Sequence, residues 1–361
     1  MNKIKILFIY QFLTFGGVET LLKNRFIYLL NNNIQIDLLC LYNLGGGKLY
    51  DKKNGFNIYI MNNLNIIKRF IEDNNYKYII SLDTPQVHNI IENLNINSTV
   101  ILEIHTGYYE NREYVRKKFI PKNTKLIIVP SQSFKKIIKK ELDNINIPIF
   151  AILNPVNKLF FNNINVKFEN ISTIPLLWIS SLDSLKNWHE ALKIFNKLMI
   201  KNKRNFEFIF VGGYNSEIDE INRFKTKLYE YNLIGKSIWY PFINYNRIHL
   251  LYKLTSLRGG IFLSTSISES FGNTVAEAMA SKCPIVASNI DAYNELLDNG
   301  KNGFLYDLNN IDDAVFKIEI LINDKKIRNE KIENAYNKAL KEFDPQKHTE
   351  KWLNIITGKN I

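Results

Sequence analysis

The stretch ISESFGNTVAEAMASKCPIV, Ile267 to Val286, reads as a turn, a helix and a strand in succession. Ser270-Phe271-Gly272-Asn273-Thr274 is a turn that feeds the helix, and Pro284 introduces a short apolar run. Two glutamates, Glu269 and Glu277, bracket the helix start. A helix N-terminus attracts anions through its free N–H groups and its dipole. Acids placed there stabilise any helix by about 0.3–1 kcal/mol. As a pair they also suit a ligand whose anionic part sits between them.

Outward from this stretch the same alternation recurs. GIFLSTS, SIWYPFI, FEFIFVGG and PLLWIS read as strands, separated by the helical stretches NRIHLLYKLT, IDEINRFKTKLYEYNL and NWHEALKIFNKLMIKN. In the first half KILFIY, IQIDLLCLY, YKYIISL, TVILEIH, KLIIVPS and IPIFAIL are strands. Their helices are GGVETLLKNRFIYLLNNN, IIKRFIEDNN, VHNIIENLN and SFKKIIKKEL, the last opened by a Ser cap. Near-continuous apolar strands separated by helices imply parallel sheets covered on both faces. The segment NPVNKLFFNNINVKFENISTIP breaks the rhythm, which places a domain boundary near 155–172. The fold class is therefore α/β, with two doubly wound Rossmann-like domains. The expected domains are 1–158, 159–342 and a final helix over 343–361, set off by Asp344-Pro345.

Composition narrows the function classes. With 46% hydrophobic and 13% aromatic residues, burial is available along the whole chain. The two cysteines, Cys40 and Cys283, lie in apolar runs without metal-ligand spacing and read as reduced core residues of a cytoplasmic protein. No run of ~18 apolar residues predicts a membrane-spanning helix, and MNKIKILFIYQF reads as a buried first strand rather than a leader. The net charge of +12 is uneven. Residues 1–155 carry 20 Lys and Arg against 12 Asp and Glu. Arg112–Lys140 alone holds ten basic residues against Glu113. Such a strip suggests an anionic partner, whether a membrane surface such as the inner face of the plasma membrane, nucleic acid or a phosphorylated substrate, or else a solvated basic face. Nucleic acid is not the expected partner, because the aromatics lie in core-like runs and no recognised module is present.

The residues in order resemble the retaining glycosyltransferases of family 4, which have the GT-B fold. The resemblance rests on Gly16-Gly17-Val18-Glu19, Asn154-Pro155-Val156, Ser180-Ser181-Leu182 with Leu185-Lys186-Asn187, and the E-x7-E segment Glu269–Glu277. Ala278-Met279-Ala280, Pro284-Ile285-Val286, Glu295 and Asn302-Gly303-Phe304 continue it. It implies two domains facing a cleft, the first for the acceptor and the second for a nucleotide sugar. It implies that Glu277 binds the nucleotide ribose, that Glu269 faces the donor sugar, and that the amides of Gly272, Asn273 and Thr274 receive the diphosphate. Lys186 stands where the family has a diphosphate-binding lysine. Ser181 stands where it usually has an arginine, which either lowers catalytic strength or leaves Arg247 or Arg258 as a compensating cation. Gly16 and Gly17 would let backbone approach the ligand, His105 would contact donor sugar or acceptor, and Glu295 would lie near the donor.

These roles are chemically coherent. A carboxylate accepts two hydroxyl protons at once, as a ribose diol requires, and a helix start binds phosphate without a metal. No Asp-x-Asp ends a strand, so no metal or other cofactor is expected. The reading is a metal-independent hexosyltransferase using a UDP-linked donor and a glycan or lipid-linked acceptor in capsule or lipopolysaccharide synthesis. A sugar-nucleotide epimerase of the same fold and a catalytically silent partner subunit are the alternatives.

Overall fold

The computed structural model describes residues 4–14, 16–50, 55–94, 97–143, 145–163, 173–202, 204–214 and 216–359. The chain divides into two compact units, Met1–Pro155 with Asp344–Ile361, and Val156–Phe343. The junction at Pro155 falls three residues before the expected boundary, because the Val156 amide donates to Phe343 O at 2.9 Å inside the second unit. Residues 164–172 of the expected linker lie outside the described residues.

The first unit is built on a sheet of seven strands. They are β1 (Ile4–Leu13), β2 (Ile34–Asn43), β3 (Asn57–Ile60), β4 (Tyr78–Leu82), β5 (Thr99–Glu103), β6 (Thr124–Val129) and β7 (Ile149–Ala151). The order is β3-β2-β1-β4-β5-β6-β7, and every pair is parallel, with Ile6 beside both Ile36 and Tyr78. The helices α1 (Gly17–Asn31), α2 (Leu64–Asn74), α3 (His88–Glu92), α4 (Glu113–Arg116) and α5 (Gln132–Leu142) connect them. Ile6 to Ile9 are fully buried, which requires cover on both faces and explains why β1 reads as an unbroken apolar run. The cap of α5 is Ser131, whose hydroxyl accepts from the Phe134 amide at 3.1 Å, so the helix begins before the SFKK segment. The edge strand β3 escaped the sequence reading, since four half-exposed residues carry little pattern.

The second unit has six strands. These are β8 (Ile174–Ile179), β9 (Phe206–Val211), β10 (Ser237–Tyr240), β11 (Ile261–Ser264), β12 (Ile285–Ser288) and β13 (Phe304–Tyr306). They run parallel in the order β10-β9-β8-β11-β12-β13. Around them lie α6 (Trp188–Lys201), α7 (Ile218–Glu230), α8 (Tyr245–Leu257), α9 (Asn273–Ala280), α10 (Asp291–Leu296), α11 (Ile311–Asn323) and α12 (Lys325–Glu342). Between α11 and α12 stands Asp324, which caps α12 through the Ile327 amide at 2.9 Å. Trp178, Trp188, Phe195, Phe208, Phe210 and Phe224 form the aromatic heart of this core. Each such side chain contributes about 1.5–3 kcal/mol by leaving water.

The last helix, α13 (Pro345–Thr357), belongs to the first unit. Its Trp352 is fully buried and stacks on Phe8 of β1 at 5.7 Å. Cys40 and Cys283 are both buried and free. Among the described residues no helix is long and apolar enough to cross a membrane.

Candidate active site

In a doubly wound sheet the strand order reverses at one point, and the carboxyl ends of the two strands there open a crevice for ligands. In the second unit that point lies between β8 and β11. The loop after β8 carries Ser181 to Asn187, and the loop after β11 carries Thr265 to Gly272.

The two loops are stitched together. Thr265 Oγ1 donates to the carbonyls of Lys186 and Asn187 at 2.9 and 3.0 Å, and the Ile267 amide donates to Leu185 O at 2.7 Å. Within the first loop Asp183 accepts from the Lys186 amide at 3.0 Å and from the Ser181 hydroxyl. At Gly212 (φ +124°) a Cβ would fall 1.9 Å from Ser180 O, so only glycine lets β9 end against this loop. The result is that Lys186 Nζ lies 2.8 Å from Glu269 Oε1. Glu269 is held by Ser266 Oγ at 2.9 Å and approached by Tyr293 Oη at 3.4 Å, and Tyr293 is fixed by Ser264 at 2.7 Å. The lysine and carboxylate side chains are 19% and 15% exposed, so an incoming anion can reach the ammonium without unfolding the loop.

Helix α9 starts beside this pair. Gly272 is left-handed (φ +100°), and a Cβ there would sit 2.5 Å from Tyr293 Cε1. Asn273 and Thr274 form the first turn, where amides lack partners within a helix. One turn on, Glu277 is buried, with Tyr252 Oη 3.3 Å from its Oε2 and 3.0 Å from Thr274 O. Burial pushes its carboxyl up to about 8, against the lowering effect of hydrogen bonds from Tyr245 and Tyr252.

A cation, an acid and a helix start thus meet at the switch point, and residues 164–338 match the family model of glycosyl transferases group 1. This segment is a glycosyl transferases group 1 domain. The architecture as a whole is the GT-B fold. The chain is 28% identical over 214 residues to a probable sucrose-phosphate synthase of Thermosipho melanesiensis, covering 59% of this chain and 48% of that protein. It is 25% identical over 232 residues to the capsular polysaccharide biosynthesis glycosyltransferase CapM of Staphylococcus aureus, covering 61% and 58%. The chain thus spans about half the length of the curated relatives it matches. Anabaena HepE, solved in complex with UDP-glucose, superposes with a TM-score of 0.84 at 16% identity, over 98% of this chain and 100% of that one.

Within the group 1 domain, one expectation needs correction. Arg258 is not available as a substitute cation. It pairs with Glu207 at 2.8 Å and with Thr173, at the amino ends of β9 and β8, opposite the crevice. Arg247 remains, exposed in the first turn of α8. Glu295 lies half-buried on α10, with its carbonyl accepting from Lys338 Nζ at 2.6 Å. Also on α10, Tyr293 reaches Glu269, and nothing in the local pattern marked it.

The remaining candidates lie in the first unit. Gly16 does not present its amide outward. That N–H donates to Glu19 Oε2 at 3.1 Å, the other carboxylate oxygen accepts from Thr14, and a Cβ on Gly16 would lie 2.9 Å from Glu19 Oε2. A side chain there would crowd the buried Glu19, whose carboxyl is pushed up by burial. Gly17 is exposed and opens α1. His105 follows β5, buried, with its backbone amide donating to Asp83 and its Nε2 2.9 Å from Glu103 Oε2.

The basic strip is also smaller than its count. Arg112 is buried and makes a forked contact with Glu141, one residue beyond the strip, while Arg116 stacks over Tyr109 at 3.5 Å. Lys117, Lys118, Lys122, Lys125, Lys136, Lys139 and Lys140 are exposed. Two of them have acidic neighbours, Lys117 on Glu113 at 2.6 Å and Lys122 on Glu92 at 3.3 Å.

Proposed function

We propose that this protein is a retaining glycosyltransferase that moves a sugar from a UDP-linked donor to a glycan or lipid-linked acceptor in cell-surface polysaccharide synthesis. The observation that carries the reading is the Lys186–Glu269 pair beside the start of α9. A diphosphate is the anion such a site suits. Its charge rises as the bond from the β-phosphate oxygen to the sugar breaks, and a fixed ammonium and helix amides stabilise that charge where it develops. In a front-face reaction the acceptor hydroxyl forms the new bond to the anomeric carbon, and its proton passes to the departing phosphate oxygen. Glu269 orients the sugar, and Glu277 accepts from the ribose hydroxyls. Lys186 supplies the positive charge that a metal provides elsewhere. HepE with UDP-glucose supports the donor class, and CapM the polysaccharide context.

The test is a panel of UDP- and GDP-sugars with NMR of the first products. Nucleotide release with UDP-sugars, undiminished by EDTA, and a product keeping the donor's anomeric configuration are expected. A free sugar nucleotide altered only at one ring carbon points to the epimerase. Silence across all donors points to the partner subunit.

The exposed lysines between Lys117 and Lys140 are proposed to hold the first unit at an anionic bilayer carrying the acceptor. Each contributes about 1 kcal/mol near such a surface, screened by salt. Co-sedimentation is expected with phosphatidylserine-containing vesicles and to fall with salt. Equal binding to neutral vesicles would refute it.

A further inference from the structure

The first unit contains a buried charge network that the reaction above leaves without a task. Glu103 is fully buried at the end of β5. Its Oε1 accepts from Arg25 Nη1 at 2.7 Å and from Trp352 Nε1 at 2.6 Å. The guanidinium lies over the Trp352 ring at 4.6 Å, and its Nε–H points to His348 Nε2 at 3.3 Å. His348 Nδ1 is 2.9 Å from the Leu153 carbonyl, which only accepts, so Nδ1 carries the proton and Nε2 is the acceptor for Arg25. The orientation of Arg25 is thereby set, and with it the side of Glu103 that Arg25 and Trp352 occupy.

That leaves Oε2 for His105. Burial pushes Glu103 up, but the Arg25 guanidinium and the hydrogen bond from His105 outweigh it and hold the carboxyl at about 2, so Glu103 is a carboxylate at any working pH. A carboxylate accepts and never donates, so His105 Nε2 carries the hydrogen. In the neutral imidazole Nδ1 is then a bare lone pair. Nδ1 is buried and has no hydrogen-bond partner among the described residues. A buried acceptor left without a donor is costly, and a hydroxyl brought by a ligand would satisfy it.

We propose that Glu103 is a positioning residue that holds His105 in the Nε2–H tautomer, so that Nδ1 accepts a hydrogen bond from a sugar hydroxyl. The inference rests on the glycosyltransferase reading for the identity of the ligand, but the tautomer can be read without any ligand.

Nitrogen-15 NMR of the histidine-labelled full chain tests it, with His105→Asn assigning the signal among the five histidines. The wild type is expected to show protonated Nε2 and bare Nδ1. In Glu103→Gln, Arg25 and Trp352 still demand the amide oxygen, which turns the NH₂ group toward His105. Nε2 must then accept, the proton moves to Nδ1, and turnover of UDP-glucose falls about tenfold, the size of one lost hydrogen bond. Trp352→Phe keeps the carboxylate and is expected to keep the wild-type tautomer, which preserves the test if the Gln variant does not fold. A change at Nδ1 on adding UDP-glucose but not UDP assigns the hydroxyl to the donor sugar; a change only with an acceptor glycan assigns it to the acceptor. A wild-type proton on Nδ1, an unswitched tautomer in folded Glu103→Gln, or a switched tautomer with unchanged turnover overturns the proposal. A wild type with the stated tautomer that turns over no donor overturns the transferase reading instead.

Discussion

Replacing Lys186 by alanine is expected to lower kcat by about 10²–10³-fold, the loss seen when one preorganised donor is removed from an anion site. The effect should fall on kcat more than on KM. The charge that Lys186 Nζ meets exists mostly in the transition state, when the diphosphate leaves, so ground-state binding loses less. The structure sharpens this expectation in two ways. Lys186 is already held 2.8 Å from Glu269 and is anchored through its own backbone to Thr265 and Asp183, so its position is set before the donor arrives. Arg258, one of the two rival cations, is committed to Glu207 at the other end of the sheet. Ser181 is exposed in the same loop, and Ser181→Arg is expected to preserve or raise activity by adding a second cation. Steady-state kinetics with a UDP-sugar decide it. A Lys186→Ala enzyme with near-normal kcat would mean that the phosphates are held by amides or Arg247, and the role given to Lys186 would be withdrawn.

Glu277→Gln is expected to weaken UDP binding by about ten- to hundredfold at pH 8.5, the loss of a charge-assisted contact of roughly 1.5–3 kcal/mol. The pH dependence distinguishes this from a packing defect. Glu277 titrates near 8 in the folded protein, so below that it carries a proton and must shed it to accept both ribose hydroxyls. Wild-type affinity should therefore rise between pH 7 and 8 and level off above, while the variant stays flat. Isothermal titration calorimetry with UDP measures both. Stability moves the other way. The folded state keeps a proton on Glu277 that the unfolded chain loses near 4.5, so folding stability falls as pH rises from 4.5 to 8. Each pH unit of that window is worth about 1.4 kcal/mol. Glu277→Gln removes the penalty, so its Tm should exceed that of the wild type at pH 8.5 and approach it near pH 5. A variant that is less stable at both pH values, with UDP affinity unchanged, would place Glu277 outside the nucleotide site.

Much of the fold could be read along the chain because its causes are short-ranged. Unbroken apolar runs such as IKILFIY can only be strands buried on both faces, and their alternation with amphipathic helices leaves little choice but parallel sheets. Asp344-Pro345 and the helix opening at Gly272-Asn273 are local backbone chemistry and fall where local rules put them. Short edge strands such as β3 and β13 escaped because four or three residues carry no period. Only the tertiary structure decided which charges meet. Lys186 and Glu269 are 83 positions apart, and Glu103 and Trp352 are 249 apart. A carboxylate in TVILEIH is visible as an oddity in an apolar strand, but its partners come from α1 and α13, and no local pattern names them. The same holds for Arg112, counted with the basic strip until Glu141 is seen across it, and for Gly16, whose amide serves the buried Glu19. Secondary structure follows from period and capping within a few residues. Buried polar groups must be satisfied wherever the chain brings a partner, and that is a property of the assembled unit.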